Sequence, residues 1–393
     1  AQNTGDGVNK EQAIAYQQFV LDFLLIAALH GRRDGDEFPA PYWHCIESMI
    51  EFIAALMDVS GNLPMIGDAD DGFAVQLSQE PEFCPFRSLL ATGAVLFNRG
   101  DFARKAGKLD DKTRTLLGDN VQLNFTKLLA STDSPPQKQA FPEGGYYVLG
   151  SHFNEPQEIR IIVDAGPLGY TTLAAHGHAD ALALWISAQG REILIDPGTY
   201  AYHTKKNWRN YFRGSLAHNT LCVDELDQSE IGGNFMWLRH ANAFCEKWIS
   251  DTTRDEFVGW HDGYLRLEHP VKHIRHLKFE KATRRLTVVD RIETTGPHQI
   301  AVMWHFAEDC EVTLLDDKRT VEIRTGAVLV HMNIRTDFDS IRVLRGSEEP
   351  IAGWVSRRFD YKIATTTIRC EIKLSSMKEF HSEFVFLSQG ASK

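Results

Sequence analysis

Two histidines, His176 and His178, stand one residue apart in the stretch AAHGHAD, with Asp196 following in LIDPG and His218 in LAHNT. Imidazole and carboxylate are the donors from which a zinc centre with an open position takes its three protein ligands. Each histidine used so needs a partner on its other ring nitrogen to hold one tautomer. The alternative is that these side chains make ordinary hydrogen bonds. Spacing puts a condition on the metal reading. If Gln189 and Gly190 form a two-residue hairpin turn, Asp196 lies opposite Ala183, about 17 Å along the strand from His178. The chain before Leu182 must then fold back, which Gly177 and the Ala179–Asp180 pair allow.

Charge is the second feature with chemical content. Between Pro197 and Val223 there is no Asp or Glu, while Lys205, Lys206, Arg209 and Arg213 fall there with His203 and His218, in a chain of formal net charge −11. The overall charge argues against non-specific nucleic-acid binding, which neutralises phosphates with Lys and Arg. The basic stretch is either a chance loop or a local cationic surface for an anionic ligand, because field focusing depends on local charge. GDADDG (67–72) has a calcium-loop look but lacks the downstream Glu, so a solvated loop lining a cleft is expected. HPVKHIRH (269–276) alternates as a strand with a solvated cationic face would. Six scattered cysteines without a CxxC signal neither a disulfide scaffold nor a thiolate site. P-loop, GxSxG and dinucleotide fingerprints are absent.

The elements that must position these residues change character along the chain. From Glu11 to about Leu129 the period is helical. Tyr16, Val20, Phe23 and Ala27 share one stripe, with Glu11 in the expected first turn and Gly31 as the stop; a tyrosine on such a stripe is usually a core or groove residue. Further helices are expected at PYWHCIESMIEFIAALMDVSG, opening at Pro41, and at FRSLLATGAVLFN and DDKTRTLLGDNVQLNFTKLL. The apolar run from Phe19 to Leu29 is broken by Asp22 and falls short of the roughly 20 residues a bilayer requires, so no membrane span is expected. A Pro, Ser and Gly-rich connector (131–145) follows, after which the period falls to two and strands dominate. The expected fold class is α+β and multidomain, with a helical domain over 1–135 and a large antiparallel β-sandwich over 136–393.

The stretch HGHADALALWISAQGREILIDPGTYAY…WRNYFRGSLAHNTLCVD closely resembles the heparinase II/III family of polysaccharide lyases, and GDGVNKEQAIAYQQF resembles the helix carrying that family's catalytic tyrosine. The resemblance implies an incomplete α/α toroid followed by the β-sandwich. It implies Tyr16 as Brønsted acid, and in many members also base, with His176 beside it. It further implies His178, Asp196 and His218 as ligands of a bound metal, usually a structural zinc. Arg209 and Arg213 would hold a substrate carboxylate or sulfate through bidentate contacts, with Lys205 and Trp208 in the same substrate-binding stretch. Asn219 would be structural. In the family an Asn or His on an earlier helix neutralises the substrate carboxylate. Only Asn3 and Asn9 precede Tyr16 here, so a C-terminal portion or truncated member is expected.

The implied reaction is β-elimination on an anionic uronate polysaccharide, of heparan sulfate, alginate or exopolysaccharide type. A base removes the C5 proton beside the uronate carboxylate and an acid protonates the departing O4. No water attacks, so paired hydrolase carboxylates are not required. The family places such enzymes in the bacterial periplasm or outside the cell. Two other readings use the same residues. His178, Asp196 and His218 as a facial triad would bind Fe(II) for oxygen chemistry, and the chain as a fragment would bind carbohydrate without turnover.

Overall fold

The computed structural model describes residues 2–132, 135–170 and 172–387. Six helices come first: α1 (Ile14–Asp34), α2 (Ala40–Leu56), α3 (Pro85–Phe97), α4 (Gly100–Ala106), α5 (Asp111–Leu117) and α6 (Gln122–Ala130). Pro41 opens α2, where its missing N–H costs nothing. Gly118, at φ +85°, separates α5 from α6 inside what reads as one helix in the sequence. α1 starts at Ile14, beyond Glu11, and runs past Gly31 to a left-handed cap at Gly35. Its buried face is Gln17, Leu21, Leu25 and Ala28. The expected apolar stripe therefore points the other way: Tyr16 and Val20 are half-buried and Phe23 is 52% exposed. By length and composition α1 is apolar enough to span a bilayer, but Leu21, Leu25 and Ala28 pack into the core of the helices.

The rest is mainly antiparallel sheet. A five-stranded meander (140–141, 146–151, 159–164, 184–188, 191–194) accompanies an eight-stranded sheet running from 311–314 at one edge to 243–250 at the other. A four-stranded sheet has the order 340–345, 366–374, 298–305, 221–223. All three contribute to one hydrophobic core, with Leu149 and Ile161 from the meander, Leu277 and Phe384 from the large sheet, and Val302 and Ile368 from the small one.

Strands 146–151 and 159–164 are buried along their whole length, which explains how the helices attach. Tyr147, Leu149, Ile161 and Val163 face the shared sheet core. Tyr146, Val148 and Ile162, on the opposite face, pack against Val8, Ile14, Phe52 and Leu56 of the helical part. A sheet covered on both faces has no wet side to produce polar alternation.

Strand 272–280 corrects the expectation of a solvated cationic face. His273 and Arg275 point inward and are fully buried. Asp290 receives Arg275 through two bonds of 2.6 and 2.9 Å and lies 2.7 Å from His273 Nε2. The same guanidinium donates to the carbonyls of Leu182 (2.7 Å) and Asn219 (2.6 Å). Arg275→Ala would leave Asp290 buried without its cation and should cost about 3–5 kcal/mol. Urea denaturation measures that loss, and an unchanged midpoint would contradict the assigned role.

Candidate active site and metal centre

The fold-back that the metal reading requires is present. Leu182 adopts φ +61°, and Ala183 N–H donates to Asp180 O at 2.8 Å, so the chain reverses just before strand 184–188. Gln189 and Gly190, both at positive φ, make the tight turn to strand 191–194. A register shift at Ile186/Ser187 then sets Leu194 opposite Ile186. One donor atom from each of His178, Asp196 and His218 lies within 4.8 Å of the others, and all three residues are buried.

Asn219 holds this corner together. Its Nδ2 donates to Leu184 O (2.8 Å) and Ile195 O (2.9 Å), and its Oδ1 accepts from His305 N–H at 2.6 Å. One buried amide thus ties strand 184–188 and the residue just before Asp196 to the small sheet, beside His218.

Asp68 is the residue that the sequence reading left in a solvated loop. It is 0% exposed. Oδ1 lies 3.1 Å from His178 Nε2 and Oδ2 3.4 Å from His176 Nδ1. Arg209 grips both oxygens, with Nη2 at 2.7 Å from Oδ2. Asp68 N–H also donates to His176 O at 2.9 Å. Burial alone would raise this carboxyl, but His176, His178 and Arg209 outweigh it and hold Asp68 below the usual carboxylate range. The 67–72 loop is therefore a bridge from the helical side to the sheets. Asp70 lies 3.5 Å from the Tyr16 hydroxyl, and Asp71 accepts from Phe359 N–H at 2.9 Å.

Tyr16 meets His176 across this bridge, ring centroids 3.9 Å apart and planes 23° from parallel. Its hydroxyl lies 3.3 Å from that of Tyr202, a buried residue not singled out in the sequence. Burial first, then Asp70, Asp68 and Glu11, push the Tyr16 phenol up to about 12 against the opposing Tyr202 bond. Tyr16 is accordingly a proton carrier at neutral pH. With Nδ1–H of His176 directed at carboxylate Asp68, the tautomer leaves Nε2 as the acceptor.

The metal-seeking atoms fit a cation. Asp68 occupies Nε2 of His178, leaving Nδ1 without a hydrogen bond, and His218 has Asp196 Oδ2 at 3.3 Å from Nδ1 while its Nε2 is unbonded. Burial holds His178 below its usual value despite Asp68, favouring the neutral ligating form. Nearby, burial and then neighbouring carboxylates raise Asp180, while burial and Asp196 raise Asp164 to about 7. A positive charge at the triad would relieve that crowding.

The basic stretch is reassigned. Residues Lys206–Arg213 form a helix, α7, whose Arg209 and Arg213 are fully buried. Arg209 holds Asp68 and Asn234 O. Arg213 donates to Asn234 O (3.0 Å) and Gly233 O (2.6 Å) and lies 4.9 Å over the Trp237 ring. Neither has a free fork for substrate. Trp208 packs with Tyr211, Phe212 and Trp354, and Lys205 is exposed at the start of α7. Asn9 is buried and its amide is bound to Asn3 and Glu11.

Residues 133–386 match the family model described as heparinase II/III-like, C-terminal. The structure is similar to the heparan sulfate lyase of Pedobacter heparinus, with TM-score 0.75 and 18% identity over 100% of this chain and 54% of that one. It is also similar to a heparinase III structure, with TM-score 0.70 and 15% identity over 100% and 56% of the two chains. The chondroitin AC lyase of Streptomyces coelicolor follows at TM-score 0.50 and 11% identity, covering 99% of this chain and 56% of that one. This chain thus spans about half the length of the structures it matches, and those likenesses show the fold. No curated protein matches it.

Asp68→Asn would leave Arg209 buried with one formal counter-charge fewer and weaken both histidine contacts, so a loss of about 3 kcal/mol is expected. The folded-state pKa of Asp68 is depressed, so its stabilising contribution is present above the unfolded carboxylate pKa and lost as pH falls towards the folded value. Thermal melts from pH 7 to pH 3 should show the wild type losing more stability than the variant; parallel curves would refute the bridge.

Proposed function

Because this chain belongs to the heparinase II/III-like family, we propose that it is a polysaccharide lyase cleaving a uronate-containing anionic polysaccharide by β-elimination. The observation carrying this reading is the stacked Tyr16–His176 pair beside a carboxylate that also fixes His178. In the reaction the C5–H electron pair becomes the C4=C5 double bond and the C4–O4 bond breaks. The pair from that bond stays on O4, which must take a proton.

The roles divide by protonation state. His176 Nε2, the open acceptor, takes the C5 proton. Tyr16, protonated because burial and acidic neighbours push its phenol up, delivers a proton to O4. Asp68 holds the His176 tautomer, and Tyr202 supplies a second hydroxyl next to Tyr16. The helical layer corresponds, in this reading, to one arc of an α/α toroid, and the polymeric substrate suits an enzyme of the periplasm or exterior.

His178, Asp196 and His218 would hold a zinc ion, whose contribution is to neutralise buried charge and pin the sheet side of the cleft. The buried, unbonded Nδ1 of His178 and Nε2 of His218 support that assignment. In this reading exposed Lys205 keeps a substrate-binding role, while buried Trp208, Arg209 and Arg213 act as supports.

Incubation with heparan sulfate, alginate and a bacterial exopolysaccharide should yield ultraviolet absorbance from a conjugated unsaturated uronate. Tyr16→Phe should lower kcat on the order of 10²- to 10⁴-fold. Silence on the whole panel, or an unaffected Tyr16→Phe variant, would sink the lyase reading. Metal analysis should find about one zinc per chain, lost in His218→Ala; iron bound instead would favour oxygen chemistry.

A further inference from the structure

The last third of the chain sends one hairpin back to the site. Strands 354–358 and 361–364 pair antiparallel, and their connection carries Phe359 and Asp360. Three contacts fix the tip. Phe359 N–H donates to Asp71 Oδ2 at 2.9 Å, Asp360 N–H to Tyr200 O at 2.6 Å, and Ser356 N–H to Pro197 O at 2.8 Å. The base is pinned as well: the Lys362 ammonium lies 3.5 Å from the Trp354 ring centroid and 4.0 Å from that of Trp208 on α7.

The tip thereby reaches the reacting groups. Phe359 meets the Tyr202 ring edge-on at 5.0 Å, and Tyr202 meets the Tyr16 hydroxyl at 3.3 Å. Tyr202 also meets Phe235 at 4.8 Å, and Phe235 lies 5.9 Å from His176. Tyr202 thus touches both phenylalanines, and a chain of contacts runs from Tyr16 through buried Tyr202 to half-buried Phe359. Arg358 is exposed, adjoins Phe359 and has no ion pair among the described residues.

We propose that the hairpin tip is a sugar subsite next to Tyr16, with Phe359 as the wall for one pyranose face and Arg358 as the cation that receives that sugar's carboxylate or sulfate. This rests on the lyase reading, and it makes the tip the specificity-determining element of that site. An aromatic ring matches the apolar C–H face of a sugar, and a guanidinium fork matches a planar or tetrahedral oxyanion. Phe359 is a wall and not an acid or base, so its removal should affect binding of substrate more than the chemical step.

The test uses the full chain with heparan sulfate and alginate hexasaccharides, measured by turnover and by calorimetric binding. Phe359→Ala should raise KM roughly tenfold with kcat kept within about threefold, and Phe359→Trp should restore KM. Arg358→Gln, at an exposed position that leaves the fold intact, should raise KM several-fold and flatten its dependence on salt. If wild type cleaves but Phe359→Ala lowers only kcat, or Arg358→Gln changes neither KM nor salt dependence, the subsite is overturned while the lyase reading stands. If wild type cleaves nothing, the lyase reading fails, and calorimetry decides the subsite separately: about tenfold weaker hexasaccharide binding by Phe359→Ala supports it, and unchanged or absent binding overturns it.

Discussion

A single buried carboxylate organises the site. Asp68 accepts from Arg209 and faces one nitrogen each of His176 and His178, so the two histidines one residue apart in sequence answer to the same anion. The cost of burying that charge is offset only because a guanidinium and two imidazoles converge on it. Everything around it follows from that need. α7 exists to bring Arg209 in, the Asn234 carbonyl satisfies the rest of the guanidinium, and the 67–72 loop must leave the helices to reach the sheets.

The arrangement separates two kinds of work within HGH. His176 lays its ring face on Tyr16, and His178, a member of the buried triad, keeps an unbonded nitrogen. Asn219 and Arg275 then restrain the triad from behind, through carbonyls and amides and not through the ligating atoms. Such outer contacts decide ligand orientation as firmly as the ligands themselves.

Much of this was legible in the sequence, for identifiable reasons. The switch from period 3.6 to period 2 near residue 135 marks the real passage from α6 to the first strands, because the two periodicities come from backbone geometry. The turn at Gln189–Gly190 was legible but held Asp196 away from His178; their approach was readable only as a condition, the fold-back before Leu182, which the structure supplies. What was hidden depends on long-range pairing. Nothing local distinguishes Asp68 from Asp70 or Asp71 in GDADDG; only the arrival of Arg209, 141 residues on, does. The basic stretch misled for the same reason, since Arg209 faces inward to that acid and Arg213 to the carbonyls of Gly233 and Asn234. Tyr16 was located on the correct helix, but the stripe was assigned by apolarity, and Gln17 and Asp22 are buried where Tyr16 and Phe23 are not.

Strands 146–151 and 159–164, sealed by the sheet core on one side and by Val8, Ile14 and Phe52 on the other, also govern how the molecule comes apart. Peeling the helices away would bare Tyr146, Val148 and Ile162 as a wet apolar face on an otherwise intact sheet, the surface from which aggregation starts. The helices and the meander therefore share one packed interface, and loosening the first uncovers apolar surface on the second.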